Sequence, residues 1–326
     1  MAVRGPLREE LFSAEALENL EGFSDVTYHK SDTDMEPAEL LDSIGGHQAL
    51  VTSWGSPRVT EEVLQRAGDL EIICHSAGSV RQYIIEGVFE RGIRVTNASS
   101  AIALSVAETT LGLMICSLRF LCAYDRHLRQ GGQGRPDYDP MHELSGRTVG
   151  IVGMGEVGRR VIELLEPFSC RVLVYDPHRP EKAVRALGAT AASLEGVMSG
   201  SDVVSIHAPD IPQNRGMIDA DLLRKLPDGA LFVNTARSRL VDEDALLREL
   251  NSGRIRCALD VYDFDIDDVS GSDCIKRNLM LTPHIAGKSV EGRKRQGDTV
   301  VEDLRLFFKG QEPLNPVTED MMEWIA

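Results

Sequence analysis

Short apolar runs alternate with amphipathic ones along nearly the whole chain. In the first hundred residues, 48–54, 70–77 and 93–98 read as buried strands, with helices predicted at 60–67 and 80–91 between them. Farther on, 148–152, 171–175, 202–207, 230–234, 255–260 and 279–282 are strand candidates. Helical runs separate most of them, such as 242–251, where Asp242 stands in a capping position. Alternation of this kind predicts an α/β fold with doubly wound parallel sheets and helices on both faces. The run 102–128 reads as one long helix. Its first half is apolar on nearly every side (Leu104, Val106, Leu111, Leu113, Met114, Ile115, Leu118). Such a helix is expected to be buried, between domains or between subunits. A Gly/Pro-rich loop is expected at 131–140.

A length of 326 residues suggests two domains. A glycine-rich turn begins at Gly153 and not near the start, so something of about 100 residues precedes a nucleotide domain. The expected division is 1–101 with 288–326 as a flavodoxin-like substrate-binding unit, and 102–287 as a Rossmann dinucleotide-binding unit. The final helix, 289–309, would pack back on the first unit. The chain would then cross twice, near 99–101 and near 287, with a ligand cleft between the units.

Composition narrows the partners. Apolar residues make up 42% and charged residues 26%, with 51 acidic against 35 basic side chains and a net charge of -16. That field repels nucleic acid and anionic lipid, so neither is expected as a partner. An anionic substrate must be caught by local cations. Residues 1–10 show no signal-peptide core. The apolar run 111–118, bracketed by Glu108 and Arg119, is short of a membrane span. A cytoplasmic enzyme is expected. The six cysteines show no metal-type pairing and read as reduced thiols.

Gly153-Met154-Gly155-Glu156-Val157-Gly158 lies after one predicted strand and before a helix carrying Val157, Val161, Leu164 and Leu165 on one side. Gly153 permits the tight turn, Gly155 lets backbone approach a pyrophosphate, and Gly158 lets helix and strand pack closely. Free amides at a positive helix end then meet the phosphates. A second strand ends in Tyr175 and Asp176, and Asp176 lies where an acid can hold ribose hydroxyls. Its charge opposes a 2′-phosphate, so NAD is expected over NADP, although Arg179 nearby softens that preference.

Asn234-Thr235-Ala236-Arg237 follows a strand, so Arg237 projects from the carboxyl end of a sheet, where its guanidinium matches a substrate carboxylate. By itself a single arginine there reads as a surface salt bridge. His284 follows another strand and a proline. An imidazole suits proton delivery to a carbonyl oxygen as hydride reaches carbon. A carboxylate beside it would hold it charged, and Asp265 is the candidate. Together these residues imply hydride transfer between a nicotinamide and a small 2-oxo or 2-hydroxy acid. The run Asp263-Phe264-Asp265-Ile266-Asp267-Asp268 begins like a calcium loop. It places Asp268 where glycine is required and Cys274 where Glu is required, so no metal site is expected. At the end of a strand in the first unit, Ala77, Gly78 and Ser79 offer amides to the substrate carboxylate, and Trp54 offers a wall.

With these motifs in place, the chain resembles the D-isomer-specific 2-hydroxyacid dehydrogenase family over nearly its whole length. The likeness is strongest in 148–176, 202–209, 234–260 and 281–287. It implies two Rossmann-like domains, a homodimer built on the nucleotide domain and the 102–128 helix, and an Arg/Glu/His set matched by Arg237, Asp265 and His284. It also implies cofactor contacts at Glu156, Val157, Asp176, Thr235, Ala236 and Asp260, and by the same matched stretches at Tyr175, His207, Ala208, Pro209 and Gly287. The loop at 77–80 matches the family's substrate-carboxylate loop with its Gly-x-Gly-x-Asp pattern altered. Two departures stand out. Asp265 replaces the family's usual Glu and is one methylene shorter, about 1.5 Å of reach; either the backbone moves in, Asp263 substitutes, or catalysis is weak. Ser238 stands where glycine usually follows the arginine. Two other readings share the architecture: an NADH-sensing scaffold like the carboxy-terminal binding protein corepressors, and a phosphite dehydrogenase.

Overall fold

In the computed structural model, which describes residues 1–134, 136, 138 and 140–324, the chain divides into two units. One comprises Met1–Ala103 with Lys288–Ala326, the other Leu104–Gly287. Of the loop expected at 131–140, Arg135, Asp137 and Asp139 lie outside the described residues; so do Ile325 and Ala326.

The first unit carries β1 (Ala49–Thr52), β2 (Ile72–His75) and β3 (Arg94–Asn97), all parallel. A two-residue strand, Pro316–Val317, runs antiparallel to β3 and closes that edge. Successive strand residues enter different apolar clusters. Leu50, Ile73 and Val95 pack with Val59, Val63 and Val88; Val51, Ile72 and Cys74 pack with Val300, Val301 and Leu304 of the helix Val290–Phe308. Both faces are therefore covered, as the period of two in a strand demands. The long helix starts at a true cap, with Ser289 accepting the Gly292 amide at 2.9 Å. It lies so close to the first helix that a Cβ on Gly297 would stand within 2.3 Å of the Leu11 carbonyl oxygen.

The second unit holds one parallel sheet: β4 (Thr148–Val152), β5 (Arg171–Tyr175), β6 (Thr190–Ala191), β7 (Val203–Ile206), β8 (Leu231–Asn234), β9 (Arg256–Leu259) and β10 (Leu279–Leu281). Its order is β10-β9-β8-β7-β4-β5-β6. The strand sequence reverses direction between β4 and β7, the position where open α/β sheets bind ligands beyond their carboxyl ends. Residues again alternate between two clusters: Ile151, Val203, Leu231 and Val233 on one side, Val152, Val204, Phe232 and Leu259 on the other. Asp242 caps the helix Glu243–Asn251 by accepting the Ala245 amide at 2.9 Å.

Three expectations need correction. The helix expected at 80–91 is helical only at Gly87–Glu90. The Tyr83 carbonyl is taken by the Val59 amide at 2.7 Å, which removes it from any helical ladder. The single helix expected at 102–128 is two, Ser99–Leu118 and Leu121–Arg129. Phe120 breaks it with a left-handed φ of 53°. The Arg256 guanidinium lies 4.3 Å from the Phe120 ring centre and donates to the Leu118 carbonyl, and the His142 amide reaches that carbonyl at 3.0 Å. The break is thus held by tertiary contacts. The apolar stretch is also longer than the run 111–118: by length and composition Ser99–Leu118 is long enough to cross a membrane. Half of it is buried inside the protein, with Leu113, Met114 and Leu118 in the core of the second unit and Leu104, Val106, Leu111 and Ile115 half-buried.

Two histidines sit at the strand ends. His75 is buried, its Nδ1 2.9 Å from the Thr52 hydroxyl and its Nε2 without a partner. His207 pairs through Nε2 with the Ser205 hydroxyl at 2.9 Å. Burial pushes both imidazoles down to about 3, so both are neutral near pH 7. Their folded values lie below the ordinary one, so the unfolded chain binds more protons between about pH 6.5 and 3. Stability contributed by each neutral ring is complete above that window and is lost as pH falls through it, at most about 1.4 kcal/mol per pH unit each. The urea midpoint is therefore expected to fall between pH 7 and pH 5, and to fall less in His75→Asn and His207→Asn. An equal fall in parent and variants would contradict this account.

Candidate active site

The glycine turn follows β4. Gly153 has φ +96°, and a Cβ there would stand 2.7 Å from the Ala208 nitrogen. The turn and the His207-Ala208-Pro209 loop after β7 thus touch at the point where strand order reverses. A Cβ on Gly158 would stand 2.1 Å from the Gly153 carbonyl oxygen, so helix and turn approach as closely as the sequence implied. A Cβ on Gly155 would meet nothing within 4 Å. Open space therefore fronts the amino end of the ten-residue helix Glu156–Leu165, and the residues fit a pyrophosphate there. Glu156 is exposed and Val157 half-buried at that end.

Asp176 is held from both sides. Its Oδ2 accepts the Met154 amide at 2.7 Å and its Oδ1 the His178 amide at 2.9 Å. The Tyr175 carbonyl accepts the Gly153 amide at 2.8 Å. The acid is thereby fixed to the glycine turn, and each oxygen retains a further lone pair.

Three adjacent strands, β8, β9 and β10, deliver the remaining residues. Asn234 pairs in register with Leu259, and Leu259 with Leu281. Strands stand about 4.8 Å apart, so the loops bearing Arg237 and His284 leave the same sheet edge about 10 Å from each other.

The Asn234 side chain shapes the arginine turn, accepting the Ala236 amide at 3.0 Å and donating to the Arg237 carbonyl at 2.9 Å. Thr235 is buried, its hydroxyl 2.9 Å from that of Thr110. Arg237 is half-buried, and its Nη1 donates to the Ala236 carbonyl at 2.7 Å. Burial depresses its pKa, opposed by the nearby Asp210 charge; a guanidinium nevertheless stays charged. Asp210 pairs with Arg215 at 2.9 Å, and among the described residues no carboxylate forms an ion pair with Arg237.

His284 takes a left-handed φ of 53°, uncommon for a residue with a Cβ. Asp260, expected as a cofactor contact, is buried and holds this loop. Its Oδ1 accepts the Thr282 hydroxyl at 2.5 Å and the Ile285 amide at 2.9 Å, and its Oδ2 accepts the Ala286 amide at 2.9 Å. Its carbonyl accepts the His284 amide at 2.9 Å. The imidazole is exposed, next to the exposed Ile285, and Gly287 is half-buried.

Asp265, expected beside His284, is committed to a helix cap. It is exposed and caps the short helix Ile266–Ser270, its Oδ1 accepting the Asp267 amide at 3.0 Å, and no ion pair joins it to the imidazole. Asp263 is also committed elsewhere, accepting the Ser238 hydroxyl at 2.8 Å. Sequence reasoning missed the anchoring parts played by Asn234, Thr282 and Glu243. The first two lie inside motifs already noted, and Asn near a strand end is a turn signal.

In the first unit, Ala77 and Val80 are buried, while Gly78 and Ser79 are half-buried. The Ser76 amide and hydroxyl are both taken by the Thr52 carbonyl, at 2.8 and 3.0 Å. The amides of Gly78 and Ser79 have no hydrogen-bond partner among the described residues. Trp54 is half-buried, with the Arg293 guanidinium 4.1 Å from its ring centre.

The family described as D-isomer specific 2-hydroxyacid dehydrogenase, NAD binding domain, matches residues 111–286. A glyoxylate reductase of Korarchaeum cryptofilum is 30% identical over 314 residues, covering 94% of this chain and 93% of that protein. A D-3-phosphoglycerate dehydrogenase of Methanocaldococcus jannaschii is 30% identical over 287 residues, 87% of this chain. The chain spans about half of that relative's length, 54%. A crystal structure of a protein from Pyrococcus horikoshii OT3 superimposes with a TM-score of 0.79 at 28% identity, covering 96% of this chain and 94% of that one. With the glycine turn, the arginine turn and the histidine loop in their matching places, the chain belongs to the D-isomer-specific 2-hydroxyacid dehydrogenase family, whose matched domain binds a nicotinamide dinucleotide.

Proposed function

We propose that this protein is an NAD-dependent dehydrogenase that interconverts a small 2-oxo acid and its D-2-hydroxy acid. The observation that carries the reading is the half-buried Arg237 cation without a carboxylate partner. Burying a charge is costly unless a counter-charge arrives, and a substrate carboxylate supplies one with two parallel hydrogen bonds. Glyoxylate and phosphoglycerate, named for the relatives above, are both small carboxylates.

When bound, the dinucleotide supplies or accepts the hydride. Gly153, Gly155 and the amide end at Glu156 and Val157 hold its phosphates, and Asp176 its adenine ribose. Tyr175, His207, Ala208, Pro209, Thr235, Ala236 and Gly287 border the same sheet edge and are proposed to line the rest of the cofactor. Arg237 grips the substrate carboxylate. The exposed His284 gives a proton to the carbonyl oxygen during reduction and takes one back during oxidation. Ala77, Gly78 and Ser79 of the first unit are proposed to add amides to the carboxylate, and Trp54 an apolar wall. The proposed division of labour follows the chain: 1–101 with 288–326 for substrate, 102–287 for cofactor.

Asp265, which caps the helix Ile266–Ser270 and forms no ion pair with His284, favours a second reading, a nucleotide-sensing scaffold without turnover. The two readings part on one assay: NADH consumed with a panel of 2-oxo acids supports the enzyme, and tight NADH binding with no turnover supports the scaffold. A homodimer through the second unit is proposed as well, supported by the exposed Leu121 and Leu128 of the helix Leu121–Arg129. All six cysteines are free, in keeping with the cytoplasmic location proposed here.

Two outcomes are expected. His284→Ala should lower kcat for 2-oxo acid reduction by about 100-fold or more while NADH affinity stays within about twofold. Turnover equal to the parent's would remove His284 from the chemistry. Asp176→Ala should raise the ratio of NADPH to NADH efficiency by about 10-fold, since a like charge facing the 2′-phosphate is worth about 1 to 4 kcal/mol. An unaltered ratio would show that Asp176 does not face the adenine ribose.

A further inference from the structure

Three groups around the arginine turn form a connected set that the reaction as described does not use. Ser238 follows Arg237, and its hydroxyl donates to Asp263 Oδ2 at 2.8 Å. The Asp263 amide donates to both carboxylate oxygens of Glu243, at 3.1 and 3.0 Å. Glu243 opens the helix Glu243–Asn251 and is therefore held in place by a capped, packed element. On its other side the acidic loop is pinned by Phe264, stacked on Tyr262 at 5.0 Å and packed against the core of the second unit.

Arg237 is thus fastened at both ends. Before it, Asn234 binds the Arg237 carbonyl at 2.9 Å. After it, Ser238 ties the chain to a loop that leaves the neighbouring strand. Glycine at 238, the residue usual in the family this chain resembles, could not make that tie, because it has no hydroxyl. An alanine would leave the turn with its backbone anchor at Asn234 only.

We propose that Ser238, Asp263 and Glu243 form a clasp that sets where the Arg237 guanidinium stands, making Ser238 a positioning residue for carboxylate capture. This rests on the role given to Arg237 above. The clasp also explains why Asp263 does not stand in for the absent Glu: its carboxylate is spent on the arginine turn. The acidic loop is therefore built to serve Arg237.

The test uses the full chain with saturating NADH and a 2-oxo acid that the parent reduces. Ser238→Ala is expected to raise KM for the oxo acid about 10-fold or more, the size of one charge-assisted hydrogen bond lost. The affinity of the enzyme–NADH complex for oxamate, a non-reducible oxo-acid mimic, should fall by the same factor, with kcat changed less and KM for NADH unchanged. Ser238→Thr, which keeps the hydroxyl, should restore KM to within about twofold. A purely structural role would lower the melting temperature and leave KM and oxamate affinity untouched, which would overturn the proposal. A readout independent of turnover is the rate at which phenylglyoxal labels Arg237, followed by mass spectrometry. Equal rates in parent and Ser238→Ala overturn the clasp. Altered labelling in a parent that reduces no 2-oxo acid would uphold the clasp and remove the proposed activity instead.

Discussion

One buried carboxylate organises the chemistry of the second unit. Asp260, at the end of β9, accepts a hydroxyl from Thr282 and amides from Ile285 and Ala286, and its own carbonyl holds the His284 amide. A carboxylate removed from water is costly without donors, and each charge-assisted hydrogen bond returns about 1.5 to 3 kcal/mol. Three donors therefore make burial tolerable and, in the same act, fold the chain after β10 into a fixed shape. That shape includes the left-handed φ of His284. Such a conformation persists only where the surroundings over-determine it, and here four hydrogen bonds to one residue do so. The imidazole is left exposed on a rigid base. Its direction is set by backbone and not by a neighbouring side chain.

Parallel pairing explains why the site lies where it does. All strands of the larger sheet point the same way, so every loop at the carboxyl edge is a neighbour of the next. The glycine turn after β4 and the His207 loop after β7 meet where the order reverses, and the loops after β8, β9 and β10 follow in sequence. The Asn234 turn, the Asp260 anchor and the capped helix at Glu243 each fix one of them. These are short-range devices, one or two hydrogen bonds apiece, applied to positions that the sheet has already brought to within a few strand widths.

Much of this was legible in the residues. Six of the seven strands of the larger sheet came out within a residue or two of the apolar runs, because they are largely buried on both faces and read as continuous apolar stretches. Gly153 and Gly158 make the close backbone contacts read for them, and Arg237 and His284 stand beyond strand ends as read, because glycines and strand-end motifs leave local marks. What escaped depends on partners distant in sequence. The break at Phe120 is held by Arg256. The missing turns at 80–86 follow from a carbonyl claimed by Val59. The short strands Thr190–Ala191 and Pro316–Val317 are too brief to carry a period. Asp265 matched a family position by spacing, yet spacing fixes only where the backbone passes. Its side chain is one bond shorter and finds a nearer donor in the Asp267 amide, so it caps a helix. Asp260 was read as a ligand contact because it matched one; its hold on the histidine loop is a further part that spacing does not mark.

The strongly acidic character of the protein then bears on capture of the anionic substrate proposed for it. A net charge of -16 opposes an incoming carboxylate, but at physiological ionic strength the field decays over about 8 Å. Within that distance the local charges decide. Asp210 is paired with Arg215, and Asp263 keeps its charge but is held in place by the Ser238 hydroxyl it accepts. Among the described residues Arg237 forms no ion pair, and it is half removed from water, where its attraction for a carboxylate is stronger than at a fully wetted surface. The same reasoning explains the value of holding it rigidly. A guanidinium free to swing would find an acid among the 51 this chain carries. Fastened between Asn234 and Ser238, it stays open for a substrate, and selectivity for small carboxylates becomes a matter of which anion can reach a cation that its own protein leaves unpaired.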